Sequence, residues 1–395
     1  MRFGTKPKTT IVTGGAGFLG SHLTASLVES GRHVLILDNL TTGNVRNLER
    51  SVSSGRATFV YGDVAVPLGD LRALIDSADV GPIEAIYHLA SPASPEAYNA
   101  RPWETLAVNA IGTMSLIDFA LERNARFIFS STSEIYGDPL VHPQPESYFG
   151  NVDPIGPRSC YDEGKRFAEA AVATAVRSRG LTGRLVRFFN CYGPFMESGD
   201  GRLIPALIDA ALAKKPFPIH GTGRQTRSLT FVTDAVELLR MVAEGEQTTL
   251  QPINVGNDDE RSVEEIARAV AEIAGVPYAV EYLSAREGDP QRRKPDLTIA
   301  RSLGWAPTTS IEDGIRETLA WFEAERTLSR ARDRLGCATR SSPSSRGDSC
   351  RKSDACTILR PVSSNRSRSS ASYRSRCSCH LYGMRFAVAG IARPR

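Results

Sequence analysis

The chain has 395 residues and a hydrophobic content of 41%, so it is long enough to bury a full core and to form a domain with an additional lobe. Its formal net charge of +4 is unevenly distributed: residues 328–395 hold fourteen Arg and one Lys against three Asp, a net of +12, which leaves −8 for the rest. The charge pattern therefore excludes a uniformly basic nucleic-acid-binding protein, and no repeat at the periods of solenoids or propellers is present.

The first predicted strand, Thr9–Thr13, leads directly into a glycine-rich loop and then into an amphipathic helix. Gly15, Gly17 and Gly20 satisfy the G-x-G-x-x-G spacing, in which missing side chains allow backbone N–H groups and the helix N-terminus to approach a pyrophosphate. The order of strand, loop and helix predicts a dinucleotide site. The loop residues expected to contact the cofactor are Gly14, Gly17, Phe18, Leu19 and Gly20.

A second predicted strand, His33–Leu37, ends on Asp38 about twenty residues after the loop, where a carboxylate can bind both ribose hydroxyls. No arginine follows Asp38 immediately, so a 2′-phosphate would meet a carboxylate without a counter-charge, and the sequence favours NAD over NADP. Asn39, Thr42 and Gly43 are expected to line the same site. The alternative is that Asp38 merely ends a strand.

Further strands are predicted at Ala57–Tyr61, Ala85–Ala90 and Phe127–Ser131. Strands that alternate with helical patterns indicate an α/β fold with a doubly wound parallel sheet of Rossmann type, whose ligand lies beyond the C-terminal ends of the strands. Asp63 follows the third strand, and it either reaches the adenine edge of a dinucleotide or caps the strand. The other cofactor contacts expected at these strand ends are Val64, Leu89 and Ser91.

Tyr161 and Lys165 lie four residues apart and therefore share one face of a predicted helix. At this spacing the ammonium group of Lys165 is expected to lower the pKa of the Tyr161 phenol, so that the phenol acts as a base near neutral pH. The alternative is a surface lysine beside a packing tyrosine. Thr132, Ser133 and Glu134 favour the first interpretation, because they bring hydroxyls and a carboxylate to the same edge of the sheet.

Three segments are predicted along the chain: an NAD-binding core at 1–192, a smaller C-terminal substrate-binding lobe at 193–327, and a disordered basic tail at 328–395. Within the lobe, Phe231–Asp234 and Ile253–Gly256 are expected to return to the core.

The tail is rich in Arg and Ser and has no apolar periodicity, so it cannot bury a core. Three interpretations are open: a disordered extension, an arm that binds nucleic acid or a membrane surface, and translation of a frame-shifted or misannotated 3′ end. The single Lys and the few aromatic residues favour the first and the third, and no nucleic-acid partner is expected.

Five of the seven cysteines lie in this tail, without regular Cys-x-x-Cys pairs, so no metal site is predicted. The sequence shows no signal peptide and no apolar stretch of about eighteen residues. We therefore expect a cytoplasmic enzyme with reduced thiols and no association with a membrane.

The motifs resemble those of the extended short-chain dehydrogenase/reductase family over about residues 8–325, and within it those of the UDP-glucuronate decarboxylases. The triplet Thr-Ser-Glu at residue 132 does not decide alone, because GDP-mannose dehydratases share it. The segment before Tyr161 and the Arg-Lys-Pro-Asp run that starts at Arg293 favour the decarboxylases. The most specific stretches are His88–Pro95, Ser131–Asp138, Pro154–Arg166 and Gln291–Asp296.

The resemblance implies decarboxylation of UDP-glucuronate to UDP-xylose with a recycled NAD. Tyr161, aided by Thr132 and Lys165, would take the C4 hydroxyl proton as C4 is oxidised; the β-keto acid would then lose carbon dioxide, and C4 would be reduced again. Ser133 and Glu134 would lie beside C5 and C6 of the sugar. The resemblance also implies roles at the substrate's carboxylate for Arg293, at the diphosphate for Arg202 and Arg227, and in the substrate pocket for Tyr98 and Asn190.

A nucleotide-sugar 4,6-dehydratase or 4-epimerase is an alternative within the same family, and a catalytically inactive nucleotide-binding scaffold is an alternative of another class. Phe195 stands where decarboxylases usually have Arg, Glu197 where His is common, and Ala206 where Asn is frequent, which bears on the identity of the sugar acid and the base. The resemblance also implies a homodimer, built through the helices near Met114–Arg123 and the helix of Tyr161.

Overall fold

The computed structural model describes residues 6–246, 250–286 and 288–338, and two short strands near the C-terminus. These residues fall into two compact units, of which one extends to Glu323 and the other begins at Ala324. The functional residues predicted from the sequence all lie in the first unit.

The helices and strands of the described residues follow one another in an alternating order. The strands are β1 Thr9–Thr13, β2 His33–Asp38, β3 Ala57–Tyr61, β4 Ile83–His88, β5 Arg126–Thr132, β6 Gly183–Phe188, β7 Cys191–Tyr192, β8 Phe217–His220, β9 Thr226–Ser228, β10 Thr230–Phe231, β11 Ile253–Val255, β12 Glu260–Ser262, β13 Val280–Leu283, β14 Arg292–Arg293, β15 His380–Leu381 and β16 Met384–Arg385. The helices are α1 Phe18–Glu29, α2 Glu49–Ser53, α3 Leu68–Asp76, α4 Pro95–Ala100, α5 Pro102–Ala107, α6 Thr113–Arg123, α7 Ser159–Arg179, α8 Leu203–Ala213, α9 Val232–Glu244, α10 Val263–Ala274, α11 Thr298–Ser302 and α12 Ile311–Ala338.

Seven parallel strands form the central sheet, in the order β11-β6-β5-β4-β1-β2-β3. Val12 of β1 lies opposite Ile36 of β2 on one side and Tyr87 of β4 on the other. The chain adds strands on one side of β1 up to β3 and then crosses to β4, so the order of the strands reverses beside β1. A doubly wound sheet binds ligands beyond the strand C-termini at such a reversal, and the predicted fold class is confirmed.

Side chains of alternating residues along the strands enter two separate hydrophobic cores, as the two-residue period of a strand requires. Val12 and Ile36 face the layer that contains α1 and α9. Ile11 and Leu35 face the opposite layer, which contains α3, α6 and α7. Both faces of the sheet are therefore covered, as a parallel sheet requires.

Sequence and structure agree closely on the position of most strands, and two predicted segments differ. The strand predicted at 85–90 begins at Ile83 and ends at His88, although the Leu89 N–H still donates to the Thr13 carbonyl at 3.1 Å. Strand β11 pairs with β6, so residues 253–255 belong to the central sheet. Helix α12 runs on to Ala338, so residues 328–338 are helical, where composition had predicted an irregular tail.

The three-part division at 192 and 327 stays a prediction. The small sheets β12-β9-β14 and β13-β8 lie within the predicted lobe, whereas β10 of the lobe pairs with β7, which precedes the predicted boundary. Most of the predicted tail, including the cysteines after residue 338, lies outside the described residues.

The continuous helical run Pro102–Arg123 is long and apolar enough to cross a membrane by length and composition, and 56% of its apolar window is buried within the fold. Polar residues such as Thr105 and Asn109 interrupt the run, so it does not stand out as an apolar stretch in the sequence. Both of these side chains are buried. The run is thus mostly a core element of the first unit, and the cytoplasmic location stays a prediction.

Candidate active site

A cavity of about 1210 Å³ opens at the C-terminal ends of β1, β4 and β5. Its size is enough for a dinucleotide and a second ligand, because single-ligand pockets measure about 300–1,000 Å³. The predicted site residues that form its wall are Gly14, Gly17, Phe18, Leu19, Gly20, Asp38, Asn39, Thr42, Asp63, Val64, Leu89, Ser91, Tyr98, Thr132, Ser133, Glu134, Tyr161, Lys165, Asn190, Arg202, Arg227 and Arg293.

The glycine loop forms a cradle at the N-terminus of α1. Gly14 has a φ of +70°, and a Cβ there would lie 2.7 Å from backbone atoms of Ala90. Gly17 is the residue before the helix, and a Cβ at Gly20 would overlap the carbonyl oxygen of Gly14. The loop therefore brings backbone N–H groups to the cavity, where they suit a pyrophosphate.

Gly15 does not belong to this cradle, although it begins the G-x-G-x-x-G pattern. A Cβ on Gly15 would lie 2.7 Å from the Ile36 side chain, so its α-carbon faces β2. Among the described residues, Gly43 likewise lies outside the cavity wall. A Cβ on Gly43 would lie 3.0 Å from both oxygens of Asp38. Gly43 thus lies directly against the Asp38 carboxylate, and its contact with the cofactor stays a prediction.

Asp38 lies at the end of β2 with 7% of its surface exposed. Burial raises the pKa of its carboxyl, and the N–H groups of Leu40 and Ala16, which donate at 2.7 and 2.9 Å, oppose this shift. Beside it, the Asn39 amide donates to Asp63 at 2.9 Å. Carboxylates at this position suit the hydroxyls of a ribose better than a phosphate. With the glycine cradle, they fit a dinucleotide such as NAD.

Tyr161 and Lys165 lie on the first two turns of α7, as the spacing predicted. Lys165 Nζ donates to the Ser130 carbonyl at 2.9 Å and lies 5.8 Å from the centre of the Tyr161 ring. Burial lowers the pKa of Lys165 to about 7. Burial also raises the pKa of Tyr161 above its ordinary value, and a hydrogen bond with the Thr132 side chain opposes that shift.

Burial thus outweighs the hydrogen bond from Thr132, and a lowering of the Tyr161 pKa by Lys165 stays a prediction. Desolvation disfavours the charged form of both groups, which lowers the pKa of the lysine and raises that of the phenol. Helical spacing indicates which side chains meet, but it does not indicate how deeply they are buried.

Glu134 is held between two guanidinium groups. Arg293 donates to both of its oxygens, with Nη2 to Oε2 at 2.8 Å and Nη1 in close contact with Oε1. Arg158 Nη2 makes a further close contact with Oε2. Burial opposes ionisation, but the charges of Arg293 and Arg158 outweigh it and hold the pKa of Glu134 at about 2. Glu134 is therefore an anion at neutral pH.

Both predicted diphosphate-binding arginines already have carboxylate partners. Arg227 Nη2 donates to Asp289 at 2.7 Å, and Arg202 Nε donates to Asp200 at 2.6 Å. Asn190, which follows β6, has a φ of +33°. Its buried amide nitrogen finds no hydrogen-bond partner among the residues that the structure describes. A buried donor without a partner is costly, and a bound ligand can satisfy it.

Arg158, Asp289, Arg286 and Glu96 also line the cavity, and none of them was among the predicted site residues. Arg286 Nη2 lies 3.1 Å from a Glu96 oxygen and 3.1 Å from the Gly201 carbonyl oxygen. The sequence offers one indication for Arg158, which is its position three residues before Tyr161. Within the described ranges, no group of three or more His, Cys, Asp or Glu side chains is arranged to hold a metal ion.

A glycine cradle, a carboxylate at a strand end and a Tyr/Lys pair in one cavity define a dinucleotide-dependent enzyme that acts on a hydroxyl group. Residues 10–256 match the NAD dependent epimerase/dehydratase family. The chain belongs to this family.

Relatives of known function extend this result. The chain is 41% identical to UDP-glucuronic acid decarboxylase 1 of Xenopus tropicalis over 319 residues, which are 80% of this chain and 73% of that one. It is 42% identical to UDP-glucuronic acid decarboxylase 5 of Arabidopsis thaliana over 77% of this chain and 86% of that one.

Solved structures with the same fold include other members of the family. A UDP-glucose 4-epimerase of Thermotoga maritima, with UDP-glucose, matches with a TM-score of 0.73 at 29% identity, over 81% of this chain and 99% of that one. A dTDP-glucose 4,6-dehydratase of Streptomyces venezuelae, with NAD and TYD bound, matches with a TM-score of 0.72 at 27% identity. The match covers 81% of this chain and 98% of that one.

Proposed function

We propose that the protein decarboxylates UDP-glucuronate to UDP-xylose with NAD as a recycled cofactor. The observation that carries this proposal is the 41–42% identity to UDP-glucuronic acid decarboxylases across about four fifths of the chain. The site agrees with it, because the cavity combines a dinucleotide cradle, a Tyr/Lys pair and an arginine-rich end that suits an anionic sugar.

The part of the cavity wall formed by the ends of β1 and β2 would hold the cofactor. Gly14, Gly17 and the N-terminus of α1 suit the pyrophosphate, and Asp38 suits the adenosine ribose. The Ser131 hydroxyl, at the end of β5, is buried and has no hydrogen-bond partner within the described part of the chain, so it is available to a ligand. NAD, when bound, supplies a two-electron acceptor and a positive charge, which lowers the pKa of a nearby phenol.

Tyr161 is the residue that takes the proton from the C4 hydroxyl. Thr132 hydrogen-bonds to its side chain and opposes the effect of burial on its pKa. The Lys165 amine donates to the Ser130 carbonyl and lies near the Tyr161 ring. In its protonated form, Lys165 stabilises the phenolate of Tyr161. General-base catalysis of this kind contributes about 10²- to 10⁴-fold.

Oxidation at C4 makes the sugar a β-keto acid. The C5–C6 bond breaks, carbon dioxide leaves, and the electron pair moves to the C4 carbonyl oxygen as an enolate. One proton then adds to C5, and C4 is reduced in the last step. Arg293, which is 4% exposed at the cavity wall, provides the positive charge that stabilises the carboxylate and then the developing enolate.

The alternatives are separated by their products. A 4-epimerase gives an isomer of unchanged mass with inverted configuration at C4, and a 4,6-dehydratase releases water. Neither enzyme releases carbon dioxide. The solved epimerase and dehydratase are 29% and 27% identical to this chain, below the decarboxylases. An inactive scaffold has no physical need for a buried, partly neutral Lys165 beside Tyr161, so the assembled site argues against it.

A homodimer is part of the proposal. Met114 of α6 and Phe167 of α7 are 45% and 44% exposed on neighbouring helices. Large apolar side chains exposed together favour burial against a second copy. Sedimentation of the purified protein at several concentrations tests this, and a monomer at all of them contradicts it.

The deciding experiment is incubation of the purified protein with UDP-glucuronate, with carbon dioxide and the nucleotide product followed by mass. Carbon dioxide with a UDP-pentose supports the decarboxylase. An unchanged mass with altered sugar stereochemistry would establish an epimerase. No reaction with UDP-glucuronate, but water loss from UDP-glucose or dTDP-glucose, would establish a dehydratase.

A further inference from the structure

Arg158 contacts Glu134 together with Arg293, and both guanidinium groups reach the same carboxylate oxygen, Oε2. Arg158 is the residue immediately before α7, and its carbonyl accepts the Tyr161 N–H at 3.0 Å. Its side chain is 14% exposed, lines the cavity and makes a close contact with Glu134 Oε2. The backbone position and the side chain therefore link the start of the catalytic helix to the carboxylate at the sugar end.

A network of alternating charges surrounds this contact. Arg158 Nε lies 3.8 Å from Asp162 Oδ2, and Arg158 Nη1 lies 3.8 Å from Asp289 Oδ1. Asp289 in turn accepts from Arg227 at 2.7 Å. The network therefore contains three arginines and three carboxyl groups, whose charges would cancel if every carboxyl were ionised. They are Arg158, Arg227 and Arg293, and Glu134, Asp162 and Asp289.

The cancellation is incomplete at Asp162. Its Oδ1 is buried without a hydrogen-bond partner among the described residues. Burial, followed by the negative charge of Glu134, raises the pKa of Asp162 to about 7. Burial thus favours the protonated form of Asp162, and protonation would leave the three guanidinium groups beside two carboxylates, Glu134 and Asp289. An anionic group on the ligand is the natural complement of that excess positive charge.

We propose that Arg158 is a positioning residue for recognition of the acid group: it fixes Glu134 against Arg293 and keeps the sugar end of the cavity positive, so that the site selects a sugar acid over the corresponding neutral sugar. The inference rests on the proposed function, because it specifies how that site recognises its substrate. Arg158 acts through Glu134 and Arg293 and is not assigned a contact with the reacting atoms.

The test compares the dissociation constants of UDP-glucuronate and UDP-glucose, which share the nucleotide and differ at C6. In Arg158→Gln the preference for UDP-glucuronate over UDP-glucose is expected to fall about 10- to 100-fold, since one positive charge beside the acid group is removed and Arg293 is left to neutralise Glu134 alone. UDP-glucose binding should change little. Arg158→Lys keeps the charge and should recover part of the preference.

Arg179→Gln is the matched control, because Arg179 lies on the same helix and forms an ion pair with Asp118 at 2.5 Å outside the cavity wall. Its preference should equal that of the wild type. NAD content and the thermal midpoint report folding. If the glutamine variant does not fold, the same ratio of dissociation constants is measured in Arg158→Met. The methionine side chain can pack near Gly288, as the stem of Arg158 does.

An equal loss of affinity for both ligands, or an unchanged ratio, would overturn the role of Arg158. Failure of the proposed function looks different: the wild type itself then releases no carbon dioxide from UDP-glucuronate. A second readout is the pH profile of UDP-glucuronate binding: with Glu134 deprived of one stabilising cation, its pKa should rise in Arg158→Gln, and the low-pH limb of the profile should move to higher pH.

Discussion

The ring of Tyr98 lies parallel to the ring of Tyr161, with the ring centres 5.1 Å apart and an angle of 7° between the planes. Tyr98 belongs to α4 and Tyr161 to α7, so the stack joins two elements that approach the cavity from different parts of the chain. The Tyr98 ring is 1% exposed. The phenol of Tyr161 is therefore fixed on one face by an aromatic ring, while its hydroxyl meets Thr132.

Tyr161→Phe is expected to keep the stack and the fold and to remove turnover. The phenyl ring fills the same space, but no group remains to take the C4 proton, so the rate should fall by about 10²- to 10⁴-fold. Carbon dioxide release measures the rate, and the absorbance of nucleotide released on denaturation measures bound NAD, which should be unchanged. Tyr282→Phe, at a 56% exposed position, is the control. Loss of NAD with turnover retained would contradict the assignment of Tyr161.

The buried state of Lys165 predicts a pH dependence of stability. Burial lowers its pKa from 10.5 to about 7. Between these values the unfolded chain binds more protons at this lysine than the folded chain does, so the free energy of unfolding rises with pH. From pH 7 to pH 9 this group contributes an increase of about 2 kcal/mol at most. The increase should be absent in Lys165→Met.

Urea unfolding of the cofactor-free protein at pH 7, 8 and 9 measures this effect. The difference between wild type and Lys165→Met removes the contributions of other titrating groups. Lys215→Met, which alters an exposed lysine, should follow the wild type at each pH. Parallel curves for wild type and Lys165→Met would show that Lys165 stays fully charged in the folded state.

The parts of the fold that local sequence determines were predictable. The glycine loop between β1 and α1, the acid at the end of β2 and the helical spacing of Tyr161 and Lys165 each depend on a few neighbouring residues. The arrangement around Glu134 depends on Arg293, which is 159 residues away, and on Arg158. Distant charges meet only through the tertiary fold, so the sequence indicated Arg293 by resemblance and missed Arg158. Burial, which sets the direction of the Tyr161 pKa, is likewise a tertiary property.

Gly14→Ala is expected to remove NAD and to lower stability. The residue has a φ of +70°, and the new Cβ would lie 2.7 Å from backbone atoms of Ala90, so the loop must shift. Gly180→Ala is the matched control: its φ is +72°, but no atom lies within 4 Å of the new Cβ. It should cost roughly 1–2 kcal/mol from the backbone conformation alone and keep NAD. Equal NAD content in both variants would contradict the role of the Gly14 cradle.

Removal of residues 328–395 is expected to leave turnover and the thermal midpoint unchanged. The last side chains of α12 that are buried in the first unit are Leu319 and Phe322, at 7% and 3% exposure, and both precede the cut. Leu328 is 49% exposed. A longer deletion of residues 319–395 should destabilise the protein by about 3 kcal/mol or more, because it removes both buried side chains. A folded but inactive 1–327 protein would assign the C-terminal segment a function that its composition does not indicate.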